Sequence, residues 1–594
     1  MTTADGIDMT NITGSNTKNT TSTINYSKVE SDSNEHIKFK WKRELKIWMK
    51  LSFFSVSRMF VELFPWFISL SLVGHKSTVA LAALSVVEIW VYTWIVISWD
   101  FVSTTESVLI SQALGYGEGK KKSKSLFSIR SWLSLSMVVM VLCNVVVSML
   151  CISTNSVLLL WGFDKQIAYE GSVYAVNIIP AVFFEGFNIC LTGYLTSIQL
   201  AWPSTVVGCI AVIVDTTTSY LLIYGQAAYN DPLKSVAVGW ITTSLISLVL
   251  NSIITKKIWG DELIYSLHGK EEIEIHDEIS SPLDSLENAE APSRINDDCL
   301  LGNNDNSDNK DNKNNDKNDD NGDNNDNNDT NDNDNEDNNT SPYSFSISVL
   351  KRIFLDSISK RRVGVYTKLA VPNFASSCVQ NLSFLCISFL AAKLGTLQVA
   401  VHNSNIALLE LTFTIIRGMA EATTIRIGYH IGAGNVDDAK RVIALSAMVN
   451  GVFGIIAASL GYSFRYQIAL LLTNDPLVIE KSADLAAMLW SSYFLYAIGA
   501  TGLAALEGQG KSVEYAILQT IGQWCVTVPL AFISFFFTNW NLQGIWFSMV
   551  CGYSVTNFLA IALLYFDTDW KKIVEAARVR QYQEVAETTT TDEN

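Results

Sequence analysis

The chain has 594 residues, 49% of them apolar, 11% aromatic and 17% charged, with a formal net charge of −16. So large an apolar share beside a long polar insert excludes an ordinary soluble domain, and the acid excess suggests no nucleic-acid partner. Most of that excess lies in the N-terminal tail and in 261–339, so the remainder is close to neutral.

Taken in order, residues 1–46 read as a disordered cytosolic tail without a secretory signal, ending in a basic stretch (Lys38, Lys40, Lys42, Arg43, Lys46). Apolar runs follow at about 50–73, 79–112, 126–152, 169–195, 203–224 and 235–256. Residues 257–362 read as a disordered acidic linker, rich in Asn and Asp from Asn303 to Asn339, which cannot bury an apolar core. Six further runs occupy about 364–392, 398–429, 442–464, 482–505, 513–537 and 542–565, and 567–594 reads as a second cytosolic tail. Each run can cross roughly 30 Å of hydrocarbon. The prediction is an all-α polytopic membrane protein with twelve transmembrane helices. Residues 47–256 and 363–566 would form two pseudo-symmetric six-helix lobes around a central cleft. Pro65, Pro180, Pro203, Pro372 and Pro529 fall in or at the ends of runs, where helices bend.

Basic residues alternate with the runs. One set of loops carries Lys120, Lys124, Arg130, Lys256, Lys257, Lys351, Arg362, Lys440, Arg441, Lys571 and Lys572; the other holds little beyond Lys76, Lys165, Lys234, Lys393, Arg465 and Lys481. That bias places both termini in the cytosol. The nine cysteines are scattered without a CxxC pair, so no metal or disulfide framework is expected.

Two corners repeat. Ile110–Lys124 and Arg426–Arg441 each end an apolar run with G-x-G, a polar turn and basic residues, and Gly432 and Gly434 follow Gly115 and Gly117 by 317 positions. Six runs per half is an even number, so the halves share one orientation and their axis runs along the membrane normal.

Ionisable residues inside the runs are costly and are therefore functional candidates. The first half offers Glu62, Glu88, Asp100, Glu106, Glu185 and Asp215, read as acids without a buried base among them. The second offers Glu410, Arg417 and Glu421, whose spacing of seven and four places them on one helical face. Glu88 and Glu106, eighteen residues apart, would share a face. The 317 offset sets Asp100 opposite Arg417. Unpaired buried acids suit proton uptake and attract cations, and aromatic side chains lining a cavity suit organic cations.

Several segments resemble the MATE (multidrug and toxic compound extrusion) family, of the eukaryotic, fungal-type branch. They are Phe67–His75 (FISLSLVGH), Ser111–Gly117 (SQALGYG), Thr367–Pro372 (TKLAVP), Thr423–Asn435 (TTIRIGYHIGAGN), Leu506–Gly510 (LEGQG) and Asp567–Arg578 (DTDWKKIVEAAR). The ordered set covers about 45–256 and 363–580. The resemblance implies two six-helix lobes that exchange organic cations for protons or sodium through lobe carboxylates. The chain departs from the family pattern at Ser69, where bacterial members carry aspartate, and at Gln380, where animal and plant members carry glutamate. Glu507 stands in place of the usual arginine, and Asp215 in place of an asparagine frequent among relatives. Glutamine cannot release a proton, so Glu410 and Glu421 are the available substitutes in that half.

The reading is a secondary antiporter that exports a small cationic solute from the cytosol in exchange for protons or sodium, and has no other cofactor. Its candidate coupling residues are Glu88, Asp100, Glu106, Asp215, Gln380, Glu410, Arg417 and Glu421. It would work as a monomer in the lipid bilayer of the plasma or vacuolar membrane. The alternatives are a lipid or lipid-linked flippase, disfavoured by the acidic run interiors, and a transport-inactive membrane sensor acting through the acidic insert. No P-loop, HExxH or G-x-S-x-G motif occurs, so no enzyme is expected.

Overall fold

The computed structural model describes residues 41–117, 122–225, 231–260, 347–470, 475–566 and 568–590, and every regular element among them is helical. The first half contains α1 (Trp41–Lys76), α2 (Thr78–Val87), a π-turn at Glu88–Tyr92, α3 (Thr93–Tyr116), α4 (Lys122–Leu160), α5 (Lys165–Asn177), α6 (Ile179–Ser197), α7 (Trp202–Tyr224) and α8 (Pro232–Gly260). A short α9 (Ile347–Ser357) leads into the second half. There follow α10 (Lys360–Lys393), α11 (Thr396–Gly432), α12 (Val436–Ser463), α13 (Arg465–Leu470), α14 (Pro476–Gln509) and α15 (Ser512–Thr520). A second π-turn (Ile521–Thr527), α16 (Val528–Phe537), α17 (Asn541–Phe566) and a terminal α18 (Trp570–Thr590) complete it.

Eleven of these helical stretches are long and apolar enough to cross a membrane, and α5 with α6, bent by 47° at their junction, make a twelfth. The fourth run is thus two helices rather than one. Pro180 is the reason: standing in the first turn of α6, it has no amide hydrogen for the preceding turn. Pro529 likewise opens α16 directly after the second π-turn. The first π-turn alters the expectation that Glu88 and Glu106 share a face. A wider turn inserts about one residue into the α register and rotates everything beyond it. The Glu88 side chain lies outside the described ones.

The expected boundaries shift. Helix begins at Trp41, inside the stretch read as tail, while 1–40 and 261–346 lie outside the described residues. The end of the stretch read as disordered linker folds as α9, because the acidic tract gives way to I-S-V-L-K-R-I-F-L-D-S, with apolar residues at helical spacing. Ile353 and Ser357 of α9 are buried, with the Ser357 hydroxyl 3.3 Å from Ser134 of α4. Ser359 then caps α10 by accepting from the Arg362 amide. The C-terminal stretch is also a helix, α18, whose Ile573, Val574 and Ala577 are buried with Trp48 of α1 and Val442 of α12.

Neighbouring helices pack within each half, α1 on α7 and α7 on α8 in the first, α12 and α11 on α14 and α14 on α17 in the second. The halves meet along a narrower seam in which α1 and α3 pack on α11, and α10 packs on α3. Exposed Leu, Ile and Val side chains cover the outward faces of α4, α7 and α12, as on a surface bathed in lipid.

Candidate functional site

The two corners meet each other. A Cβ added to Gly115 would run into the Tyr429 carbonyl, and one added to Gly432 into the Gln112 carbonyl. Positions 112 and 429, like 115 and 432, differ by 317, so one contact is made twice, once in each direction. Gly428, the counterpart of Ser111, faces the Ser111 hydroxyl itself. This is the pattern of an isologous interface, and it places the pseudo-two-fold axis between α3 and α11. The Gln112 amide then reaches across to donate to the Gly508 carbonyl at 3.0 Å. The corners differ in one respect: Gly434 has φ +82, whereas Gly117 keeps φ −78.

Some four turns along the same two helices from the corners lie Asp100 and Arg417. Both are exposed at the seam. Each is an electrostatic neighbour of the other, and Glu410 neighbours both, so the acid, the base and the second acid form one group. No ion pair within 4 Å joins Asp100 to Arg417 among the described residues, which leaves the base reachable from the open side. Glu507 of α14 is also within electrostatic range of Asp100, and its carboxylate accepts from the Thr424 hydroxyl at 3.3 Å.

Beside Arg417 and Glu410 stand the phenols of Tyr496 (α14) and Tyr553 (α17). Tyr496 stacks on Phe413 with centroids 4.1 Å apart, and Tyr553 meets both rings edge-on at 5.8 Å. The three rings line a cavity between α11, α14 and α17 that also reaches Trp490, Tyr493 and Asn557. An apolar ring cluster next to mixed charge can accept the flat, apolar body of an organic cation and neutralise its charge at one end.

Other expected residues go elsewhere. Glu421 lies on the same face of α11 but pairs with Arg58 of α1, whose guanidinium is 3.0 Å from one Glu421 oxygen and 2.8 Å from Glu62. The first half therefore does contain a base inside an apolar run, contrary to the sequence reading, and this base reaches the other half. Glu106 and Asp215 are buried, at 0% and 2% exposure, away from the charged group. Glu185 accepts from Asn188, which in turn accepts from Asn251 of α8. Gln380 is half-buried on α10, and its carbonyl accepts from the Ser383 hydroxyl.

A second cross-half network passes unnoticed in the sequence. Arg426 of α11 donates to both oxygens of Glu44 at 2.7 Å and to the Gln199 side chain at 2.9 Å, and its guanidinium lies over the Tyr429 ring. His430 stands 3.4 Å from Glu44. Glu44, Arg426, Tyr429 and His430 are buried at the corner end, and Gln199 is half-buried. Arg578 and Arg580 of α18 lie over Gly434 and Gly510, and Ser128 of α4 donates to Gln581, so the terminal helix spans the same end. The signal available in the sequence was a base in T-T-I-R-I-G, too near an apolar run to be solvated; its partner, 382 residues away, left no local trace.

The family model MatE matches residues 372–533. Over 216 residues the chain is 24% identical to "Multidrug and toxin extrusion protein 1" of Homo sapiens, covering 36% of this chain and 37% of that one. It is 26% identical over 208 residues to the "Probable multidrug resistance protein NorM" of Bacillus cereus, covering 35% and 45%. The chain thus matches little more than a third of the human relative's length. Similarity in structure is wider. The eukaryotic MATE transporter AtDTX14 superposes with a TM-score of 0.66 at 17% identity, covering 91% of this chain and 99% of that one. An outward-facing multidrug resistance MATE transporter of the MOP superfamily gives 0.63 at 15% identity, over 90% and 97%.

Proposed function

We propose that the chain is a divergent member of the MATE family, to which its matches point, and that it is a secondary antiporter that expels small organic cations from the cytosol in exchange for protons. The observation that carries this reading is the group of exposed Asp100 and Arg417 with half-buried Glu410, beside the ring cluster Phe413, Tyr496 and Tyr553. Acid on both halves attracts a cation. Arg417 offers the acids an internal counter-charge when neither substrate nor proton is present. Competition for the same carboxylates lets one ligand displace the other, which is the minimum an exchanger needs. Glu88, Asp215, Gln380 and Glu421 remain supporting candidates, with Glu421 bound up in its pair with Arg58. The basic loops support cytosolic termini in a plasma or vacuolar membrane. One chain is the transport unit, with the coupling ion its only cofactor.

The test is the purified protein in liposomes under an imposed pH gradient, with a sodium gradient as comparison and a panel of fluorescent cations. Asp100→Asn and Glu410→Gln should each abolish proton-driven transport while the protein stays folded. Full transport by both variants would sink the assignment, and transport driven by sodium alone would replace the coupling ion.

A further inference from the structure

Among candidate acids whose side chains are described, Glu106 is the most closed off. It lies on α3 six residues after Asp100, is 0% exposed, and its carboxyl oxygens meet no hydrogen-bonding group among the described residues beyond the adjoining Cys190 thiol. Its surroundings come from three helices. On α6 the Cys190 thiol lies beside it, Gly193 leaves room 3.7 Å from one oxygen, and Tyr194 has Glu106 and Arg130 among its charged neighbours. On α4 stand Arg130, Ser136 and Cys143. On α10 Tyr366 has Ser136 beside it and Glu106, Cys190 and Cys143 within electrostatic range. The Tyr194 hydroxyl is itself buried without a hydrogen bond among the described residues, and the buried Tyr366 hydroxyl has only the Ser136 hydroxyl beside it. Apolar side chains close the rest, Val102, Leu109, Trp132, Leu133 and Leu191 among them.

A lone carboxylate in such a place costs several kcal/mol, and neutral thiol and phenol groups return only part of it. A bound proton removes the charge and leaves a neutral carboxyl group, which surroundings of thiol, phenol and apolar side chains tolerate. Two of the three walls, α4 and α6, belong to the first half; the third, α10, belongs to the second. The Asn373 amide of α10 also donates to Thr105, the residue before Glu106, at 3.0 Å.

We propose that Glu106 is a closed proton site at the seam between the first half and α10, distinct from the seam carboxylates. Tyr366 is its positioning residue, and the proton exchanges with water only when α10 moves away from α3. The ligand is a proton or hydronium ion. Occupancy of the site stands on its own; its use in coupling rests on the antiport reading above.

Infrared spectroscopy of the full-length protein in lipid reads the site directly. At neutral pH the wild type should show a protonated-carboxyl C=O band that Glu106→Gln removes. Tyr366→Phe should shift that band and speed its exchange in deuterated water several-fold. Identical carboxyl bands in wild type and Glu106→Gln would overturn the site. Should Glu106→Gln fail to fold, a Tyr366→Phe spectrum with neither shift nor faster exchange would overturn it equally. In liposomes Glu106→Gln should flatten the pH profile of cation transport while substrate binding is retained. An unchanged profile beside a lost band would overturn the coupling role. Absence of gradient-driven transport in the wild type would instead overturn the antiport reading and leave the infrared result standing.

Discussion

Arg58 bridges Glu62, one turn along its own helix, and Glu421, 363 positions away. Side-chain exposures of 12% for Arg58 and 14% for Glu421 mean that the pair is held mostly out of water. Removing one partner should therefore cost more than removing both, because it leaves a desolvated charge. Arg58→Met should destabilise by about 3 kcal/mol, and adding Glu421→Gln should recover a sizeable part, as measured by a double-mutant cycle on thermal unfolding in detergent. Additive losses would show that the two do not act as a pair. At this scale the sequence was half legible. The spacing of Glu410, Arg417 and Glu421 was plain, whereas Arg58, four residues before Glu62, passed unread as a buried base. Which acid each base would choose was not, since a face of α11 turns past α1 at one level and past α3 at another. The two tyrosines escaped, and Glu507 was marked only as a departure from the family pattern, for the same reason: nothing in a strip of sequence marks a ring or an acid as facing a helix from another segment.

Helix α11 shows how little room the seam allows. Gly432 and Gly115 bring backbone against backbone, so a methyl group at either must push two helices apart. Gly432→Ala should destabilise by about 2 kcal/mol and lower the yield of folded protein. Gly364 of α10 has open space around its Cβ position and no positive φ, so Gly364→Ala should be neutral or stabilise by up to about 1 kcal/mol. Thermal shift of the two purified variants checks the contrast; equal losses would contradict it. The glycines were readable as close-approach positions, and the apolar runs as spans, because both follow from local composition. The break before α6 and the π-turns were not, since a proline signals a bend without saying whether the helix restarts. The helix α9 was hidden behind the composition of the acidic tract that precedes it.

Across the whole molecule the corner end is sealed and the ring cavity lies elsewhere along the same helices. Glu44, Arg426, Gln199 and His430 bind the halves together there with charge-assisted hydrogen bonds, and α18 covers the same end. On the proposed antiport reading, with the corner end in the cytosol, this network would have to come apart for substrate to enter, so weakening it should raise the population opened at that end. A cysteine in place of Ser197, buried on α6 near Gln199, reports the opening. Arg426→Gln should make it react several-fold faster with a membrane-impermeant thiol reagent in inside-out vesicles, above the background of native cysteines. An unchanged rate would remove the network from the gate. Two copies of one unit could be inferred from the offset of 317, and the reciprocal glycine contacts follow that offset. The fastening between the copies could not, because the seal joins residues with no counterparts under the offset.

That reciprocity has a consequence for descent. When a single six-helix ancestor paired with its own copy, every position on the axis would have faced itself. At the position now held by Asp100 and Arg417, two identical charges would have repelled and two neutral residues would have attracted no ion. An acid could come to face a base only after the copies were joined in one chain and free to differ. On descent from one six-helix unit, the asymmetry at the centre of the seam would be the trace of fusion, and the reciprocal glycine contacts the geometry of the older pair.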